Sequence, residues 1–127
     1  VIMEELKKTV QILVDMGKKV YLVLDSPTGP ELDPKNLYIR SFTSSISSGV
    51  RKMKVSDFLK RDQAIRDEIQ AIAKETGAEV IDPIPWLSED GYCISSNQDG
   101  PIRCDDSHLR PGFVRKYVTY LDKTILH

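Results

Sequence analysis

The stretch Gly17–Pro27, GKKVYLVLDSP, decides the fold class of this chain. Apolar positions run unbroken from Val20 to Leu24, between a glycine-lysine start and an Asp-Ser-Pro stop. A β-branched and aromatic run bounded by such breakers reads as a short strand. Its apolar character is continuous rather than alternating, which predicts cover on both faces. Just ahead of it, Ile2–Met16 carries Leu6, Val10, Leu13 and Val14 at i, i+4, i+7 and i+8. That spacing is one face of a helix, and Gly17 ends it. A helix leading into a doubly covered strand implies α/β layering.

Downstream the pattern returns. Ser56–Thr76 reads as a second helix with Phe58, Ile65, Ile69 and Ile72 on its buried face, Ser56 as N-cap and Gly77 as stop. Ala78–Pro83, AEVIDP, is a second short strand stopped by proline. Ile84–Asp106 reads as loop with room for a small hairpin. A last helix is expected from about Pro111, with Val114, Val118, Leu121 and Ile125 as its apolar stripe. Residues 26–54 form a long polar connection, a length usually functional or mobile. Within it the basic cluster Arg51–Lys54, RKMK, reads as a solvated flank. Two strands make a marginal sheet. Further strands are therefore expected from upstream sequence, or from a second copy of the chain that completes the sheet.

Composition narrows the function. The 127 residues carry 18 basic and 19 acidic side chains, net charge −1, so no basic excess marks a nucleic-acid surface. No apolar run is long enough to cross a bilayer. The chain opens VIMEELKK, without an initiator methionine, and is expected to be an excerpt of a longer protein. Cys93 and Cys104 are spaced to allow a disulfide, or two reduced thiols; spacing does not choose. With one histidine besides the terminal His127, a four-ligand zinc site is not expected.

The chemistry concentrates in RCDDSHLRPGF, Arg103–Phe113. A histidine that takes a proton from a serine hydroxyl needs its far ring nitrogen held by a carboxylate. Asp105, three residues before His108 on a tight turn, can do this. His108 would then act as general base and acid, Asp105 would fix its tautomer, and Asp106 would bond the turn backbone. On the bare residues, DDSH ahead of a helix also reads as a capping turn.

Taken together, GKKVYLVLDSP, FLKRDQAIRDEIQAIAKETG, AEVIDPIPWLSEDGYC and CDDSHLRPG resemble the C-terminal half of an SGNH (GDSL-like) hydrolase domain. The resemblance is to the extracytoplasmic SGNH domains fused to, or working beside, bacterial membrane O-acyltransferases of acyltransferase family 3. It covers nearly the whole chain. The family's Asp-x-x-His-Leu falls on Asp105, His108 and Leu109, with Gly112 following, and its Asp-Pro strand end falls on Asp82-Pro83. Its Leu-Cys…Cys loop falls on Leu87 and Cys93, but the first cysteine is Ser88 here. Where the family caps the following helix with Ser or Thr, this chain has Arg110, which reads as a surface arginine or as a cation near an anionic substrate group.

The resemblance implies a partial three-layer α/β/α, flavodoxin-like sheet whose N-terminal strands are missing, with 1–127 as the C-terminal portion of a single domain. It places the Gly-Asp-Ser nucleophile and the oxyanion residues ahead of Val1. It also implies a serine-dependent acyltransferase or esterase acting on O-acyl groups of bacterial surface polysaccharide, with Asp105 and His108 as its catalytic pair. No metal or cofactor is implied. The partners would be an acylated polysaccharide or acyl donor and a membrane acyltransferase domain, in an extracytoplasmic, periplasmic setting. The isolated chain is then expected to be inactive. The rival reading is a non-catalytic carbohydrate-binding or interaction domain on a degenerate SGNH fold.

Some residues imitate or accompany a site. Asp25-Ser26 ends a strand as a nucleophile turn does, but Leu24 replaces the needed glycine and Pro27 removes an N–H. Ser26 therefore reads as a strand-ending turn. Trp86 reads as packing its loop, with stacking on a sugar as the alternative. Tyr117 and Tyr120 read as helix packing, and Asn97 as turn chemistry.

Overall fold

A computed structural model describes residues 1–37 and 52–125. About half of the 26–54 connection, residues 38–51, lies outside these residues, and with it Arg51 of the RKMK cluster; Met53 of that cluster is buried rather than part of a solvated flank. The described part of the chain forms two compact units. The first takes in residues 1–26, 60–83 and 120–125, and the second the described residues of 27–59 together with 84–119.

The first unit holds the α/β pattern. Helix α1 spans Ile2–Asp15, with Val10 fully buried and Leu6 and Val14 half-buried. Leu13, expected on the same face, is exposed. Strand β1, Tyr21–Val23, pairs in parallel with β2, Glu79–Ile81, in the register Tyr21↔Glu79, Leu22↔Val80, Val23↔Ile81. The bonds Glu79 N–H to Val20 O and Leu24 N–H to Ile81 O carry the ladder beyond both strand ends. Helix α2, Val55–Thr76, connects the strands in sequence as parallel pairing requires. Leu24, Ile72, Ala73 and Ile81 are buried in this unit. Arg66 is buried too, its charge met by Asp82 at 2.7 Å and by Asp25 O at 3.1 Å.

Three expectations are corrected here. β1 is not covered on both faces, since Val23 is 47% exposed. α2 begins at Val55, so Ser56 lies inside its first turn. Ile65 is exposed rather than buried. The helix buries Phe58, Ile72, Ala73 and Thr76, plus Arg66, whose long aliphatic stem takes the inward place that periodicity had given to isoleucine.

The second unit is built from small ladders around two apolar clusters. β3, Ser88–Glu89, and β4, Tyr92–Cys93, form a hairpin over Asp90-Gly91. Both turn residues have positive φ, 51° and 80°, the conformation an Asp-Gly two-residue turn adopts. β5, Ser96–Asn97, pairs with β6, Gly100–Pro101. Where one small hairpin was expected there are two. Leu32, Met53, Phe58 and Cys93 form one cluster, and Leu87, Ile102 and Phe113 the other.

Helix α3, Pro111–Tyr117, is much shorter than expected. Val118 is extended at φ −87°, ψ 93°, where the β-branched pair Val118-Thr119 disfavours continuing the helix. Its anchor is Phe113, with Tyr117 one turn on, rather than a Val114 stripe. Val114 and Leu121 are exposed, and Ile125 is 77% exposed.

Candidate functional site

The DDSH segment is the tip of a closed loop. Arg110 N–H donates to Ile102 O and Cys104 N–H to His108 O, both at 2.8 Å, with Arg103 and Leu109 bridged between them. This ladder turns residues 104–108 outward and sends Ile102 and Leu109 into the cluster around Leu87 and Phe113. The tip is also held from the side, because Asp106 O accepts the N–H of Gly29 at 3.1 Å.

Beneath the loop lies Arg103, 1% exposed. Its Nη1 donates to Ile94 O at 2.9 Å and its Nη2 to Pro27 O at 2.8 Å. Burying a guanidinium is costly unless its N–H groups are met, and both Nη groups of Arg103 are. Here they tie the foot of the loop to two other segments.

Within the tip, Asp105 does two jobs at once. Its Oδ1 accepts the backbone N–H of His108 at 2.7 Å and of Ser107 at 2.9 Å. Its Oδ2 stands 2.8 Å from Nδ1 of His108, and Ser107 Oγ donates to Oδ1 at 3.2 Å. The backbone N–H of His108, then that of Ser107, then the imidazole hold the Asp105 carboxyl well below the usual carboxylate range. An ionised carboxylate only accepts, so Nδ1 carries the proton that faces it. In the neutral ring, Nε2 then bears the lone pair, on the edge away from Asp105. His108 is 79% exposed, so that edge is open.

The two expectations about DDSH therefore meet in one residue. The aspartate closes a turn and also orients the histidine. It does not cap α3, whose N-cap is Arg110 with no side-chain cap bond. Asp106 was expected to bond the turn backbone with its carboxylate. It contributes its carbonyl instead, because Asp105 already occupies the turn's N–H groups.

Ser26 follows β1 in the first unit, half-buried, and no histidine stands among the described residues of that unit. Trp86 is 44% exposed and donates from Nε1 to Thr119 Oγ1 at 3.2 Å, which packs its loop. Cys93 and Cys104 are both free thiols, the first buried and the second exposed. Burial pushes the Cys93 thiol up, against the opposing pull of the Arg103 charge. Among the described residues no three His, Cys, Asp or Glu side chains converge as a metal site would need. Arg103 went unread in the sequence, since its partners are backbone carbonyls that no side-chain motif announces.

A family model described as "SGNH domain (fused to AT3 domains)" matches residues 2–121. The chain belongs to this SGNH family, a hydrolase and acyltransferase type of domain with an α/β fold. No curated protein and no solved structure matches it. No described helix is long and apolar enough to cross a membrane.

Proposed function

We propose that this chain supplies the histidine half of a serine-dependent acyl transfer or ester hydrolysis on O-acyl groups of bacterial surface polysaccharide. The observation that carries this reading is the Asp105 carboxylate, fixed by two backbone N–H groups and set 2.8 Å from Nδ1 of His108. That arrangement readies Nε2 to take a proton from a serine hydroxyl and return it to the leaving oxygen. Asp105 holds the tautomer and stabilises the imidazolium. The nucleophile is a serine upstream of Val1, on strands that extend the β1–β2 pair into a three-layer α/β/α sheet. The two-stranded parallel pair and the exposed Val23 support such neighbours. A second copy pairing on that edge is the alternative source, which sedimentation as a monomer at high concentration would remove.

The fusion named in the family's description supports a membrane acyltransferase domain as partner, in the same chain or beside it; we place the chain itself on the periplasmic side. No cofactor enters this chemistry. The test is acetyl turnover on an acetylated polysaccharide by the chain joined to its upstream sequence. Turnover lost in His108→Ala and restored in part by added imidazole supports the reading. Turnover equal in wild type and His108→Ala refutes it. Glycan binding without any turnover would favour a carbohydrate-binding domain.

A further inference from the structure

Arg110 has no local structural task. Its side chain does not cap α3, and its single hydrogen bond, Nη1 to Pro101 O, is long at 3.4 Å. Among the described residues no carboxylate pairs with it. It lines a pocket of about 290 Å³ together with Asn97, Asp99, Pro101, Phe113 and Tyr117. That volume lies at the lower end of the range for small-ligand pockets and suits one sugar-sized ring.

The pocket's other polar groups are largely engaged. Asp99 is met by Lys116 Nζ at 2.8 Å and by the hydroxyl of Tyr117 at 2.5 Å. That hydroxyl also accepts from Gln98 Nε2 at 2.9 Å. Asn97 Oδ1 accepts the N–H of Asp99 at 2.9 Å, which leaves its Nδ2 as the end able to meet a ligand. The groups left over are thus donors, one of them cationic, beside the apolar surface of Pro101 and Phe113. The pocket is also close to the histidine along the chain. Leu109 packs inward, so its neighbours His108 and Arg110 face outward, about 7 Å apart along extended backbone.

We propose that this pocket binds an acidic sugar, a ring bearing a carboxylate, with Arg110 on the carboxylate and Asn97 Nδ2 on a ring oxygen. The assignment rests on the acyl-transfer reading for its biological sense: it makes the acidic residue of the glycan the ring presented beside His108. Arg110 is then the residue that sets substrate charge. A guanidinium matches a carboxylate in two parallel hydrogen bonds, which an ammonium cannot.

The test is a ¹⁵N NMR titration of the chain with sodium glucuronate, glucose and inorganic phosphate in turn. Glucuronate should shift the Arg110 Nε–H and Asn97 Nδ2 signals with a Kd about tenfold or more below that of glucose. Arg110→Gln should abolish that preference while keeping a dispersed spectrum, and Arg110→Lys should retain part of it. Equal binding of glucose and glucuronate, equal shifts from phosphate, or no shifts at all would each overturn the assignment. Binding is read without turnover, and His108→Ala should leave it intact. Glucuronate binding together with ester turnover that is equal in wild type and His108→Ala would therefore count against the catalytic reading alone.

Discussion

Asp105 grips its own turn with one carboxylate oxygen and the imidazole of His108 with the other, Oδ1 to two backbone N–H groups and Oδ2 to Nδ1 at 2.8 Å. The backbone bonds fix the carboxylate before the histidine is considered. The ring is thus oriented by a group that cannot itself swing away. Residues three apart achieve this because the loop is closed beneath them by the Ile102–Arg110 ladder.

The depressed Asp105 carboxyl makes a pH prediction. A carboxylate lowered in the folded state stabilises the fold fully above its unfolded pKa, about 3.9. That contribution is lost as pH falls through this value toward the lower native one. Asp105→Asn keeps an acceptor for the two N–H groups but has no charge to lose. Between pH 6 and pH 3 the wild-type Tm should therefore fall more steeply than that of Asp105→Asn. Parallel Tm curves would contradict this.

Arg103→Ala should destabilise the protein by about 3 kcal/mol, because it leaves the buried carbonyl of Pro27 and the half-buried one of Ile94 without their charged donor. Urea unfolding should show a lower midpoint at unchanged slope. Arg103→Lys, which cannot span both carbonyls, should fall between the two. A midpoint for Arg103→Ala within error of wild type would contradict the strap.

The two thiols should differ in reactivity. Cys104 is exposed, whereas Cys93 is buried with its thiol pushed up, so little of it is thiolate at pH 8. Iodoacetamide should modify one cysteine, Cys104, in the folded chain and both after denaturation. Equal rates in the folded state, or none without reductant, would contradict the free, unequal pair.

Gly91→Ala should cost about 1 kcal/mol, since the Asp90-Gly91 turn needs φ of +80° at this position and no neighbouring atom obstructs a methyl group. The measurement is a denaturation midpoint, and no change would contradict the turn assignment.

Local signals in the sequence were read well and non-local ones poorly. α1, β1, α2 and β2 follow from periodicity and glycine or proline stops. Asp105 and His108 are three residues apart, so one turn brings them together without help from the rest of the chain. The end of α3 was missed because Val118, Leu121 and Ile125 continue a helical spacing that the β-branched Val118-Thr119 pair interrupts. Ile65 was assigned inward, but Arg66 takes that place to reach Asp82. The Asp90-Gly91 hairpin did carry its signal, a turn dipeptide between short runs, inside a stretch read as loop. Arg103 and the pocket at Arg110 gave no such signal, since both depend on segments brought together only by folding.

The most direct test of the central claim is fluorophosphonate labelling of this chain and of the chain with its upstream sequence, each also as His108→Ala, with labelled peptides mapped by mass. Label is expected on an upstream serine in the longer chain, lost in His108→Ala, with none in the short one. Label on Ser26, or label on an upstream serine that persists in His108→Ala, would contradict it.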